Sequence, residues 1–125
     1  MSTNGIIDLR SSYSVGETAD RLASLLQVQG IKIFARIDQA AEARGVGLTL
    51  PPMVLFIFGD PKSGTPLMTN YPSLAMDLPL KALVWESATA GVQLSYNSPE
   101  FLQQRHGLDA PPFRAVEGIF RKATQ

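Results

Sequence analysis

The chain has no cysteine and a single histidine, His106. The absence of cysteine excludes disulfides, thiol catalysis and thiolate metal sites. One histidine with scattered carboxylates does not make up the ligand set of a zinc or iron site. The sequence therefore predicts neither a bound metal nor a cofactor.

The chain also has no excess of either charge, because 11 lysine and arginine residues balance 11 aspartate and glutamate residues. Residues 1–62 carry six basic and six acidic side chains, and residues 63–125 carry five of each. Nucleic-acid-binding proteins normally carry a basic surplus, so nucleic acid is not an expected partner. Charged residues make up 18% of the chain, below the roughly 25% of an average domain. This low fraction indicates an apolar surface or a buried subunit interface.

Long apolar runs are missing as well. The longest one, residues 53–58, is far short of the roughly 20 residues that span a bilayer, so no membrane partner is expected. Residues 1–5 lack the basic start and apolar core of a signal peptide, and a cytoplasmic location is expected. With 125 residues, the chain is expected to form a single domain, because domains cluster near roughly 100–150 residues.

Periodic apolar positions and turn residues divide the chain into alternating strands and helices. A first strand is predicted over residues 6–13, and Ser14 with Glu17 then has the capping-box spacing of a helix start. Gly30 stands where a glycine ends this helix. The residues predicted on its buried face are Val15, Ala19, Leu22 and Leu26.

The later segments predict an α+β fold with a largely antiparallel sheet. The alternation over residues 31–37 predicts a half-buried strand, with Ile31, Ile33, Ala35 and Ile37 on one face. The unbroken apolar run over 53–58 predicts a strand covered on both faces. The other predicted elements are a helix over 39–44 capped by Asp38, a short helix starting at Thr65–Pro66, irregular chain over 71–77, strands over 80–86 and 92–97, and helices from Ser98 to Gly107 and over 113–122.

The loop over residues 59–66 contains the parts of an anion site, namely two glycines, a lysine and a following helix start. It is not a P-loop, because Thr65 stands where a P-loop carries its lysine after Gly64. Two interpretations stay open. In the first, Lys62 and the backbone amides near Thr65 form a phosphate or carboxylate site. In the second, the segment is only a turn and a helix cap.

His106 is predicted in the last turn of a helix, where the helix dipole favours a histidine. A structural role is therefore one interpretation. The other is a Ser-His-Asp triad that uses Ser63, Ser95 or Ser98 as the nucleophile, although the chain has no Gly-x-Ser-x-Gly elbow. No catalytic residue is assigned on this basis.

Trp85 and Leu83 share a strand face with Lys81. An aromatic side chain on a mixed face is a common anchor of a subunit interface. It is equally compatible with an ordinary core or surface position, so both interpretations stay open.

Four segments together resemble the bacterial and archaeal family catalogued as domain of unknown function 302. They are GIKIFARIDQAAEARGVGL, PPMVLFIFGDPKSGTPLM, DLPLKALVWE and LSYNSPEFLQQRHGL, within a family-like core of about residues 13–108. The resemblance implies a two-layer α+β sandwich of the order β-α-β(4)-α, similar to the TATA-binding protein, and a homodimer with no established activity. The family often has His where this chain has Gln39, and Asn where it has Asp60, so no role of that histidine carries over.

The sequence as a whole predicts a homodimeric, non-enzymatic domain that binds or senses a small molecule. One alternative is an enzyme that acts on a small anionic substrate through the 59–66 loop, and another is a module that binds only protein. The predicted ligand-binding residues are Asp38, Asp60, Lys62, Gly64, Thr65, Tyr96 and His106.

Overall fold

The computed structural model describes residues 4–125, and within them strands and helices follow one another in the predicted order. One further helix, of the 3-10 type, covers Pro72–Asp77. The strands are β1 (Ile6–Arg10), β2 (Lys32–Asp38), β3 (Met53–Gly59), β4 (Leu80–Ser87) and β5 (Gly91–Asn97). The α-helices are α1 (Val15–Val28), α2 (Gln39–Gly45), α3 (Pro61–Asn70), α4 (Pro99–His106) and α5 (Ala115–Thr124).

The five strands form one sheet in the order β1-β5-β4-β3-β2, and every neighbouring pair is antiparallel. Helices α1 and α5 pack together against one face of this sheet. The predicted two-layer α+β fold is confirmed. The core between the layers consists of Val15, Ala19, Leu22, Leu26, Val54, Phe56, Phe58, Ala82, Val84, Leu94, Tyr96, Phe120 and Ala123.

The ends of α1 and α4 lie where the sequence predicts them. The Ser14 hydroxyl accepts a hydrogen bond from the Glu17 backbone N–H at 3.1 Å, and α1 ends before Gly30, whose φ is +72°. Ser98 caps α4 in the same way, and Gly107 ends it with φ +69°. These signals are reliable because each acts within one turn of the residue that carries it.

Helix α3 begins five residues earlier than the sequence predicts. The expected start at Thr65–Pro66 is wrong, because Asp60 is the N-cap and its carboxylate accepts a hydrogen bond from the Lys62 backbone N–H at 3.0 Å. Pro61 then occupies the first helical position, which suits its fixed φ and missing N–H. Pro66 therefore lies inside the helix.

Two other boundaries differ from the prediction. The last helix begins at Ala115 rather than at residue 113, because Phe113 has φ +59° and a left-handed residue cannot belong to a right-handed helix. The segment 71–77, predicted as irregular chain, contains the 3-10 helix Pro72–Asp77.

Strand β2 contains a register shift that the alternating sequence hides. Ile33 pairs with Phe58, which is in the core, whereas Ala35 pairs with Ile57 on the opposite face. Phe34 is the extra residue between them and is 46% exposed. The four alternating apolar residues of the predicted strand therefore do not share one face.

Within one copy of the chain only one face of β3 is fully buried, so the chain itself does not cover the strand on both faces as predicted. Phe56 and Phe58 are inaccessible beneath the helices, whereas Leu55 and Ile57 are half-buried. Leu55 pairs with Leu83 and with Ile37 on the side away from α1 and α5. We call this side the outer sheet face, and its apolar members are Ala35, Ile37, Met53, Leu55, Ile57, Leu83 and Trp85.

None of the helices described over residues 4–125 is both long enough and apolar enough to cross a membrane.

Candidate functional site

An open cleft of about 790 Å³ lies where the carboxyl end of β3 meets helices α1, α3 and α5. It is formed by parts of the chain that are distant in sequence, and most of its side chains are apolar. Its lining residues are Leu25, Gln29, Ile31, Phe34, Phe58, Gly59, Asp60, Pro61, Ser63, Gly64, Thr65, Leu67, Met68, Leu78, Pro79, Leu80, Phe113, Arg114, Ala115, Val116, Gly118, Ile119 and Lys122.

Half of the polar side chains that line the cleft come from the start of α3, and the others are Gln29, Arg114 and Lys122. Asp60, Ser63 and Thr65 all line it, and the backbone of Gly64 lies between them. The Asp60 carboxylate is already engaged as the helix cap, and the Ser63 hydroxyl donates to the Asp60 carbonyl oxygen at 3.3 Å. Lys122 contributes an ammonium group from α5 and forms no ion pair within residues 4–125. The cleft thus combines an apolar body with hydroxyls and charges of both signs.

A hydrogen-bonded network lies beside the cleft and fastens α5 to the sheet. The Tyr96 hydroxyl donates to Glu117 Oε2 at 2.6 Å, and Arg114 pairs with both Glu117 and Glu100. Burial raises the pKa of the Tyr96 phenol, and the hydrogen bond to Glu117 and its charge raise it further. The Tyr96 hydroxyl therefore stays protonated and donates its hydrogen bond to Glu117.

Phe113 lines both the cleft and a much smaller cavity next to it, which Asp77, Tyr96 and Glu117 also line. Its left-handed backbone is unusual for a bulky side chain and is the kind of strain that clusters at functional sites. The only sequence signal for this feature was the preceding pair of prolines at 111–112, which marks a loop but not the conformation of the next residue.

The histidine forms a separate cluster outside the cleft. His106 Nδ1 lies 2.8 Å from the Ser73 hydroxyl, and His106 Nε2 lies 2.6 Å from Asp77 Oδ2. The His106 side chain is 3% exposed, and Arg105 lies 3.6 Å from the same Asp77 oxygen. Serine, histidine and aspartate therefore meet, but through Ser73 and not through Ser63, Ser95 or Ser98, the serines considered from the sequence.

The structure divides the seven residues predicted for a ligand site among several places. Asp60, Gly64 and Thr65 line the cleft, whereas Lys62 is exposed next to it and is not among the lining residues. The other three lie elsewhere: Asp38 caps α2 by accepting from the Ala41 backbone N–H, Tyr96 is in the core, and His106 is bonded to Ser73 and Asp77.

Most of the cleft could not be found from the sequence. Leu25, Val116 and Ile119 have the spacing of ordinary buried helix positions, and nothing local distinguishes a core position from a cleft wall. Within residues 4–125 no three metal-binding side chains of the His, Cys, Asp or Glu types come together.

Comparison with protein families gives one match over nearly the whole chain. The family described as "Domain of unknown function DUF302" matches residues 7–123. A solved structure of an uncharacterized conserved DUF302 protein from Bacillus stearothermophilus superposes with a TM-score of 0.72 at 17% identity. The match covers 95% of this chain and 92% of that chain, and at this identity it shows a shared fold.

Curated relatives share more of the sequence. Proteins named "Fluoride-specific ion channel FluC 1" from Brucella suis and Brucella abortus are each 42% identical over 116 residues. The match covers 93% of this chain but 46% and 43% of those proteins. The chain therefore spans less than half the length of the curated relatives it matches.

Proposed function

Since the chain belongs to the DUF302 family and its α/β junction holds a large apolar cleft, we propose that it binds a small amphipathic molecule there. The cleft carries the proposal. Its volume of about 790 Å³ falls within the roughly 300–1,000 Å³ of small-molecule sites. Protein interiors otherwise leave few voids larger than a water molecule, so an opening of this size is not a packing defect.

The lining defines the chemistry of the ligand. Aliphatic side chains of α1, α3 and α5 and the rings of Phe34, Phe58 and Phe113 suit an apolar body, which the hydrophobic effect would transfer out of water. The Thr65 hydroxyl and the Lys122 ammonium suit a polar or anionic end. The Asp60 carboxylate adds a negative charge next to the helix start, so a multiply charged anion is a poor ligand.

The enzyme alternative from the sequence has less support, because its residues do not share one cavity. Asp38 caps a helix and Tyr96 is committed to Glu117. His106 does not line the cleft that contains Thr65. A binding site needs no such convergence, and we propose ligand binding rather than turnover at the cleft.

The first test uses two helical glycine variants, one that lines the cleft and one that does not. Gly118 lines the cleft within α5, and a Cβ there meets nothing closer than Arg121 Nη2 at 3.9 Å. Gly16 lies in α1 away from the cleft, and a Cβ there meets nothing within 4 Å. Both Gly→Ala changes should stabilise their helices, by up to about 1 kcal/mol in a helix interior.

We expect only Gly118→Ala to weaken binding of the dye anilinonaphthalene sulfonate, which has an apolar body and one anionic group. The added methyl group narrows the cleft, so the fluorescence titration should give a several-fold higher Kd for Gly118→Ala and an unchanged Kd for Gly16→Ala. Equal Kd values in both variants, or no saturable binding to the parent chain, would contradict the proposal. The dye titration is repeated in sodium fluoride, with sodium chloride as the control. This tests whether fluoride, the ion in the name of the curated relatives, competes with the dye at this site.

We also propose that a second copy of the chain covers the outer sheet face. Leu55, Leu83 and Trp85 lie on this face opposite the helical layer and are half-buried in one copy. Asp8 and Arg10 of β1 and Lys81 of β4 lie on the same face, so its rim carries both signs of charge. A face with both signs complements itself across a two-fold axis, and a contiguous apolar patch marks an interaction surface.

Native mass spectrometry tests the dimer directly. We expect twice the 13.6 kDa chain mass at micromolar concentration, and a shift to the monomer when Leu83→Lys places a like charge in both halves of the interface. Lys122→Glu, on helix α5, is the control and should leave the dimer intact. A parent chain that is monomeric throughout the concentration series would overturn this proposal without touching the ligand site.

A further inference from the structure

A chain of hydrogen bonds joins an exposed serine to a buried histidine and then to a carboxylate. Ser73 Oγ lies 2.8 Å from His106 Nδ1, and His106 Nε2 lies 2.6 Å from Asp77 Oδ2. Ser73 is exposed to solvent, whereas the side chains of His106 and Asp77 are 3% and 11% exposed. This cluster plays no part in the cleft, and the ligand proposal does not use it.

Two short elements bring the three residues together. The 3-10 helix Pro72–Asp77 carries Ser73 near its start and Asp77 at its end, so both project toward the same neighbour. That neighbour is the last turn of α4, where His106 precedes the helix-ending Gly107. Contacts between the 3-10 helix and α4 therefore fix the imidazole on both sides.

The hydrogen-bond pattern determines where the imidazole proton is. An ionised carboxylate can only accept, so Asp77 takes the hydrogen bond from a protonated Nε2. In a neutral ring Nδ1 then carries the lone pair, and the Ser73 hydroxyl donates to it. Because the His106 side chain is buried, the hydroxyl of Ser73 lies between Nδ1 and the solvent.

This arrangement has the three roles of a nucleophilic serine site: nucleophile, base and a carboxylate that orients the base. In the serine-protease triad the serine is bonded to Nε2 and the aspartate to Nδ1. Here Ser73 is bonded to Nδ1 and Asp77 to Nε2, so the two nitrogens have exchanged partners. General-base activation of the serine needs only an unprotonated ring nitrogen at the hydroxyl and a protonated one at the carboxylate. Asp77 is a positioning residue, because it acts through His106.

We propose that Ser73 is an activated nucleophile that takes an acyl group from small, solvent-accessible activated esters. Ser73 Oγ attacks the carbonyl carbon while its proton passes to His106 Nδ1. The carbon–oxygen bond to the leaving alcohol then breaks, and the alcohol departs with that proton. Water, deprotonated by the same nitrogen, releases the acid and restores the serine. A fluorophosphonate reacts in the first half of this sequence, forming an oxygen–phosphorus bond as fluoride leaves.

The decisive comparison uses two serines of the same intact protein and needs no variant. Ser12 is also exposed but has no histidine partner, since His106 is the only histidine of the chain. After brief exposure to a fluorophosphonate, peptide mass spectrometry should find the phosphonate adduct on Ser73 about 100-fold faster than on Ser12, the size of a general-base effect. Equal labelling of the two serines would overturn the proposal.

Variants then separate activation from simple anchoring of the 3-10 helix. His106→Gln keeps a donor and an acceptor in the ring's place but has no base, so Ser73 labelling should fall by about 100-fold. Asp77→Asn should slow labelling too, because it no longer fixes the proton on Nε2. Thermal melts accompany both variants. A His106→Gln protein that melts like the parent and labels Ser73 at the parent rate would show that the cluster is only structural.

Discussion

Replacing Phe120 by alanine is expected to lower the free energy of unfolding by about 3–5 kcal/mol. The ring is 1% exposed and lies between the sheet and the helical layer. It meets Phe58 edge to face with ring centroids 5.9 Å apart, and it lies 4.5 Å from the Tyr96 ring centroid. Its removal leaves a cavity in the centre of the core, and the surrounding side chains relax only partly.

Phe34→Ala is the matched control, because it deletes the same ring at a position that is 46% exposed. The Lys32 ammonium lies 4.8 Å from the centre of its ring, and we expect the free energy of unfolding to fall by about 1 kcal/mol or less. Urea unfolding of both variants measures the difference. Equal losses in the two variants would mean that Phe120 does not occupy the core position described here.

The two variants also separate stability from binding. Phe34 lines the cleft, so Phe34→Ala should weaken dye binding while leaving the fold nearly unchanged. Phe120 does not line the cleft, but it lies on the same helix, α5, as Val116 and Ile119, which do line it. A loosened α5 should therefore weaken binding in Phe120→Ala through the position of the helix.

The second large effect is expected at Glu117. Glu117→Ala removes the acceptor of the Tyr96 hydroxyl. Tyr96 is buried, and its hydroxyl then has no other hydrogen-bond partner among residues 4–125. An orphaned buried polar group costs about 1–3 kcal/mol, and Arg114 loses one of its two carboxylates as well. Tyr96→Phe removes the hydroxyl itself and should cost less, since no donor is left unpaired.

The same pair predicts how stability changes at alkaline pH. The fold raises the pKa of Tyr96 above its ordinary value of 10, first through burial and then through Glu117. Between pH 10 and the raised value the folded state holds a proton that the unfolded state has lost, so stability decreases as pH rises through that range. Below pH 10 the contribution is fully present.

Urea unfolding between pH 7 and pH 11 checks this sign. The stability advantage of the parent chain over Tyr96→Phe should be constant up to about pH 10, the ordinary value for tyrosine, and should shrink above it. A constant difference over the whole range would show that the phenol titrates alike in the folded and unfolded states. Glu117→Gln, which keeps a neutral acceptor, should show a smaller alkaline loss than the parent, because the negative charge is gone.

The elements that the sequence predicted well are those with signals inside one turn of chain. Ser14 and Ser98 cap helices, and Gly30 and Gly107 end them, through hydrogen bonds to residues three or four positions away. The resemblance to the DUF302 family was carried by local segments of this kind and is confirmed. The start of α3 was missed although its signal, Asp60–Pro61, is also local, because Thr65–Pro66 offers the same chemistry five residues later.

The candidate sites were predicted only in part. Asp60, Gly64 and Thr65 do line one cleft, because they lie on consecutive turns of a single helix start. Asp38, Tyr96 and His106 were predicted to belong to the same site, and the folded chain places them elsewhere. The outer sheet face was obscured by the register shift at Phe34, which a regular alternation of side chains cannot reveal.

The sequence by itself determined the order of the elements, the α+β class and the balance of charge, because these depend on composition and on short-range hydrogen bonding. Only the tertiary structure decided which residues meet. Ser73 and His106 are separated by 33 positions along the chain, and the cleft joins segments from α1 to α5. The physical reason is that such contacts arise from how apolar faces pack together, and packing has no local signature in the chain.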